Sequence, residues 1–121
     1  MANEITINGS LRFAKGATDE MLEYIDQHVT VIGTLFAKKR QVVGTSIETI
    51  DIDDAVNGGF MIMINRDATN AVRWGHFASG ALVGEMKPGE PAGPFRVYSA
   101  NTLGLQAVNA PCEVEFLYIT V

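Results

Sequence analysis

Three stretches of the chain bring together residue types that can do chemistry. In Asn65-Arg66-Asp67-Ala68-Thr69-Asn70 the side-chain oxygens of Asn65, Asp67 and Thr69 fall at alternate positions, the spacing with which a calcium loop begins. The pattern then fails, because Asn70 stands where such a loop needs glycine and His76 where it needs a bidentate glutamate. The same residues bond readily to nearby backbone amides, so the segment reads as a hydrogen-bonded turn. Asp51, Asp53 and Asp54 form an acidic cluster that suits half of a carboxylate pair or a metal site. No histidine or further carboxylate lies at ligand spacing, and the cluster reads as a solvated loop. Trp74, His76 and Phe77 make the third stretch, since aromatic faces suit the apolar faces of sugar rings. A core or interface tryptophan is the simpler reading of Trp74.

The remaining reactive residue types are sparse. Neither His28 nor His76 has a Cys, Ser or second His that spacing alone would pair with it, and zinc sites and nucleophile triads need more than one such group. Cys112 is the only cysteine, so no intrachain disulfide can form, and it reads as a small buried residue near the start of the last strand. Lys38-Lys39-Arg40 is the only basic cluster and reads as a solvated hairpin tip. No glycine-rich phosphate loop precedes a helix. The residues therefore predict no catalytic group, no cofactor and no metal, and a protein that is not an enzyme.

The chain has 121 residues, of which 47% are apolar and 19% charged, a balance that predicts one globular domain over residues 1–121. A net charge of -5 and an isoelectric point near 4.9 argue against a nucleic-acid or anionic-membrane partner. The opening MANEITINGS lacks a basic segment followed by an apolar stretch, and no window reaches the length of a membrane span, so the expectation is a protein made and at first kept inside a cell. Asn8-Gly9-Ser10 matches a glycosylation acceptor but is better explained as a turn.

The elements that must position these residues are organised around Phe60 to Trp74. Phe60-Met61-Ile62-Met63-Ile64 is a short apolar run between turn residues and reads as a strand that wants cover on both faces. Ile5, Ile7, Leu11 and Phe13 alternate with polar residues, which predicts two short strands joined at Asn8-Gly9 or one long strand with a bulge there. Residues 18–28 are the one place where helix and strand compete, and β-branched residues further on favour strand. Val42-Val43 is expected to start a strand, and Thr45 to Ile52 alternates with mixed faces. Lys87-Pro88-Gly89-Glu90 fits a type II turn, and Pro91, Gly93 and Pro94 exclude a central strand or a helix there. Val114, Phe116 and Tyr118 share one face of the last strand and Glu115, Leu117 and Ile119 the other. The fold class predicted is all-β, an antiparallel β-sandwich or jelly roll with little or no helix. Two strands apolar on both faces need more cover than two layers provide, and a homo-oligomer interface is the simplest supplier.

Asn65-Arg66-Asp67-Ala68-Thr69-Asn70-Ala71-Val72 after an apolar strand, then Met86-Lys87-Pro88-Gly89-Glu90-Pro91-Ala92, then the closing Cys112-Glu113-Val114-Glu115-Phe116-Leu117-Tyr118-Ile119 follow one another along the chain. Together these three stretches resemble small virion structural proteins of tailed bacteriophages. The opening Ile5-Thr6-Ile7-Asn8-Gly9-Ser10-Leu11 with Lys15-Gly16 is similar too, whereas Trp74-Gly75-His76 departs from the pattern. The resemblance implies a β-sandwich or jelly-roll protein of the virion, assembled in the host cytoplasm, that decorates and cements the capsid as an oligomer such as a trimer. Its implied partners are the major capsid protein or other virion proteins, with no nucleic acid, membrane or cofactor. An alternative is a tail or fibre adhesion module whose Trp74 surface binds host glycans. Asn65, Asp67, Thr69, Asn70 and Trp74 are the residues expected to meet a partner, together with the amino-terminal strand.

Overall fold

The computed structural model describes residues 4–31, 35–52, 58–98 and 102–120. Among them are ten strands and no helix, and every strand pairing is antiparallel. The chain divides into two compact units, Met1–Ile32 and Gly33–Val121.

The first unit is a two-stranded ribbon of β1 (Ile5–Lys15) and β2 (Thr18–Val29), turned through Gly16-Ala17. Residues 18–28 are therefore strand, and β1 is one long strand with an irregularity at Asn8. There Ile7 pairs with Gln27 and Gly9 with Tyr24, so Asn8 faces two residues of β2. The Asp26 N–H donates to Asn8 Oδ1 at 2.9 Å, which holds Asp26 at a φ of 55°. Tyr24 lies against Gly9 in the room a side chain there would fill. Paired residues share a face, so Leu11 and Leu22 sit together with Phe13 and Tyr24 along one side. The other side is mixed, with exposed Met21 opposite Arg12, and there Arg12 grips Asp19 through two bonds of 2.9 and 2.8 Å.

The second unit is a sandwich-like pair of four-stranded sheets. One has the order β3 (Phe36–Val43), β10 (Cys112–Thr120), β5 (Gly59–Asn65), β8 (Pro91–Val97). The other has the order β4 (Glu48–Thr49), β9 (Leu103–Ala107), β6 (Val72–His76), β7 (Ala81–Met86). Met61, Met63, Val114, Phe116 and Tyr118 of the first sheet meet Val72, Met86, Leu105 and Ala107 of the second in one buried cluster. The valine, leucine, methionine and phenylalanine side chains among them each contribute on the order of 1.5–3 kcal/mol by leaving water. Tyr118 is fully buried, and its hydroxyl reaches the backbone of Gly58, while burial pushes the phenol above its ordinary range.

Several expectations are corrected. Lys38-Lys39-Arg40 is not a hairpin tip but the middle of β3, and Val42-Val43 ends that strand rather than starting one. Along β3 the lysine stems lie beside the long strand β10, whose partner register from Cys112 to Ile119 imposes the extended backbone. Of the stretch Thr45 to Ile52, only Glu48–Thr49 pairs as strand. Asp51 is exposed and ion-paired with Lys39 at 2.9 Å, while Asp53 and Asp54 lie outside the described residues. The segment with Pro91, Gly93 and Pro94 is, in keeping with the expectation, neither helix nor central strand: it forms β8 at the edge of its sheet, where proline is tolerated.

Candidate functional site

Asn65 closes β5 and has no exposed surface. Its amide nitrogen donates to the carbonyls of Asn70 and Met86, both at 2.9 Å, and its side-chain oxygen accepts from the Asp67 N–H at 2.9 Å. Its backbone bonds Glu90 O at 3.0 Å and Gly89 N at 2.9 Å. One residue thus ties the first sheet to the end of β7 in the second and to the turn at 87–90. That turn has the expected shape, with Gly89 at a φ of 81° and Glu90 N bonding Lys87 O at 2.9 Å.

Asp67 turns its carboxylate back on its own loop. Oδ2 accepts from Asn70 N at 2.6 Å, from Thr69 N at 2.9 Å and from Thr69 Oγ1 at 3.4 Å. These amide bonds hold the Asp67 carboxyl below its ordinary range. The oxygens that suggested a calcium loop are therefore engaged in a hydrogen-bonded turn. Among the described residues no group of three acidic, His or Cys side chains gathers to hold a metal. Thr69 is exposed and Asn70 half-buried, so of this loop Asp67, Thr69 and Asn70 offer surface and Asn65 does not.

Cys112 is buried behind the same loop, its sulfur 3.4 Å from Ala110 O and 3.6 Å from Asn70 O. Burial, with the nearby Asp67 charge, pushes the thiol above its ordinary range, which suits a packing residue and not a nucleophile.

Trp74 is half-buried against the core and meets Phe95 edge to face, with ring centroids 5.3 Å apart and planes at 79°. The indole occupies the space over Gly84 of β7. The two rings form the inner wall of an open groove of about 390 Å³ between the edge strands β7 and β8. Val83 and Leu103 add apolar wall, and His76 and Arg96 bring nitrogen donors to the same hollow. Phe77 is absent from this lining and sits in the turn after β6.

His76 has a partner that spacing did not reveal. Ser79 Oγ lies 2.8 Å from His76 Nδ1, which also accepts the Ser79 N–H at 3.2 Å, while Ala81 N donates to Ser79 Oγ at 3.3 Å. With Nδ1 accepting from the Ser79 N–H, the Ser79 hydroxyl is left to donate to the same nitrogen. The reversal of the chain over residues 77–80 brings the two together, so the pair closes the turn. His28 meets Thr6 Oγ1 at 3.3 Å across the ribbon.

Two surfaces remain whose apolar content exceeds what the core uses. On the ribbon, Leu11 and Leu22 are each 80% exposed, flanked by Phe13 and Tyr24. On the outer face of the β3-β10-β5-β8 sheet, Phe36 and Val42 are exposed and Phe60, Ile62, Leu117 and Ile119 half-buried. Charged side chains frame this face. Arg96 stacks on the Phe60 ring at 4.5 Å, Arg66 bonds Glu115 at 2.7 Å, and Arg40 bonds Glu113 at 2.8 Å. The Arg66 bond, reinforced by the charges of Arg66, Arg40 and Lys38, holds the Glu115 carboxyl below its ordinary range. β5 and β10 were expected to want cover on both faces, and the structure covers one face of each fully and the other in part. Comparison of the chain with protein-family models, with curated proteins and with solved structures finds no match.

Proposed function

We propose that this protein is a bacteriophage virion structural protein, a capsid decoration or cement protein that binds coat subunits as an oligomer and stabilises the particle. The observation that carries this reading is the outer face of the β3-β10-β5-β8 sheet. It is a broad apolar surface with paired charges at its margin, the composition of an interface and not of a pocket. The resemblance of the loop after β5, of the turn at 87–90 and of the last strand to phage virion proteins supplies the particle. A protein that touches several coat subunits at once gains affinity by avidity without one strong contact. Capsids lacking the protein are expected to burst at lower temperature and lower salt, and added protein to pellet with them and restore resistance. Deficient capsids that neither bind the protein nor differ in stability would sink the proposal.

The groove beside Trp74 supports a second reading, an adhesion module of a tail or fibre that binds host glycans. Two aromatic rings with a guanidinium and an imidazole at the same hollow suit a sugar's apolar face and hydroxyls. Glycan-array binding abolished by Trp74→Ala, with the melting transition still cooperative, would favour it over cementing.

A further inference from the structure

Among the described residues that wall the groove beside Trp74, one side chain is placed to hydrogen-bond what enters it. Alternation along β6 puts Trp74 and His76 on one face, and alternation along β8 puts Phe95 and Val97 on one face and Arg96 on the other. Phe95 pairs with buried Met61 and so faces the core, whereas Arg96 pairs with Phe60 and its guanidinium lies over that ring at 4.5 Å. Arg96 therefore borders the hollow with its charge already held at the outer face of the sheet. The indole nitrogen of Trp74 packs over Gly84, and Thr102 is engaged within the chain. His76 is different. Ser79 occupies its Nδ1 with the N–H at 3.2 Å and the hydroxyl at 2.8 Å, a grip that fixes the ring and leaves Nε2 for a ligand.

The rest of the lining is apolar, including Val97 and Leu103 of the buried cluster, and among the described residues around the groove none is acidic. A carboxylate entering here would shed water against Trp74, Phe95 and Leu103 and meet no cation that is not already stacked elsewhere. An uncharged ring fits better, with an apolar face for the aromatics and a hydroxyl for His76. At about 390 Å³ the groove lies at the small end of the range for ligand pockets. We infer that the groove takes a neutral sugar ring, that His76 selects it through Nε2, and that Ser79 positions His76. This rests on the glycan reading above and adds to it the class of sugar and the residue that reads it.

The test uses the full chain with methyl glucoside, methyl galactoside and methyl mannoside, each beside the uronic acid that differs from it by a carboxylate at one carbon. Binding is read by saturation-transfer NMR and by titration. The wild type is expected to bind at least one neutral glycoside, and its uronic acid about tenfold more weakly or worse. His76→Ala and Ser79→Ala are each expected to lose about three- to tenfold in affinity, while Ser79→Thr, which keeps the hydroxyl, restores it. In the imidazole nitrogen spectrum the ligand should move the His76 Nε2 signal and leave Nδ1 in place, which a purely structural pair would not do. Unchanged Trp74 emission and a cooperative melt certify that the variants keep the groove. A uronic acid that binds as tightly as its neutral partner, binding indifferent to His76 and Ser79, or a ligand shift on Nδ1 alone would each overturn the inference and leave the glycan reading standing. A wild type that binds neither set of sugars removes both together.

Discussion

Replacing Asn65 by alanine strips donors from the Asn70 and Met86 carbonyls and an acceptor from the Asp67 N–H, around a side chain that is itself fully buried. Buried polar groups left without partners cost about 1–3 kcal/mol each, and loop relaxation recovers part. Asn65→Ala is expected to lose about 2–4 kcal/mol in a urea titration. Asn65→Asp should do nearly as badly, since a carboxylate cannot donate to either carbonyl. Asp67 and Glu115 set an acid limit. Both carboxyls are held below their ordinary range when folded, so the unfolded chain takes up their protons first as pH falls. The stability they contribute is fully present above the ordinary values of 3.8 and 4.5 and is lost as pH drops through the lower folded ones. Melting temperature is expected to hold from neutral pH to about 5 and then fall, and less steeply in Asp67→Asn; a slope unchanged by that substitution would remove Asp67 from the account.

Between strands, the same logic applies to volume. The indole of Trp74 fills the space above Gly84, so Gly84→Val must push it off Phe95 and towards water. As Trp74 is the only tryptophan, its emission should shift to the red, and the melt should fall by an amount comparable to Trp74→Phe. An unchanged spectrum would mean the groove yields without moving the ring. Much of this architecture was legible in the residues. The alternation of Val114, Phe116 and Tyr118, the apolar run from Phe60 to Ile64 and the Pro-Gly turn each declare their geometry locally. Lys38-Lys39-Arg40 misled because a run of charge looks like a tip unless its partner strand, more than seventy residues away, is known. The Asn65 staple was misplaced for a related reason. An Asn before Arg and Asp reads as a polar loop, and only the approach of Met86 and Glu90 turns it into a buried amide. Ser79 escaped notice although three residues from His76, because the bond depends on the turn between them and not on spacing alone.

At the scale of the molecule, every member of the buried cluster belongs to the second unit. A chain from which residues 1–31 are removed is therefore expected to melt cooperatively at close to the full-length temperature; a collapsed melt would make the ribbon part of the core. The β3-β10-β5-β8 sheet has its last strand in its interior, with β10 bonded to β3 on one side and to β5 on the other. Pairings that span so much of the chain close late and slowly. During synthesis the ribbon, a local hairpin, can pair while the remainder is still being translated, whereas the β3-β10-β5-β8 sheet closes only once β10 has been made. Until then β3 and the edge of β5 that faces it stay unpaired, so the last strand to be made is the one that seals the sheet.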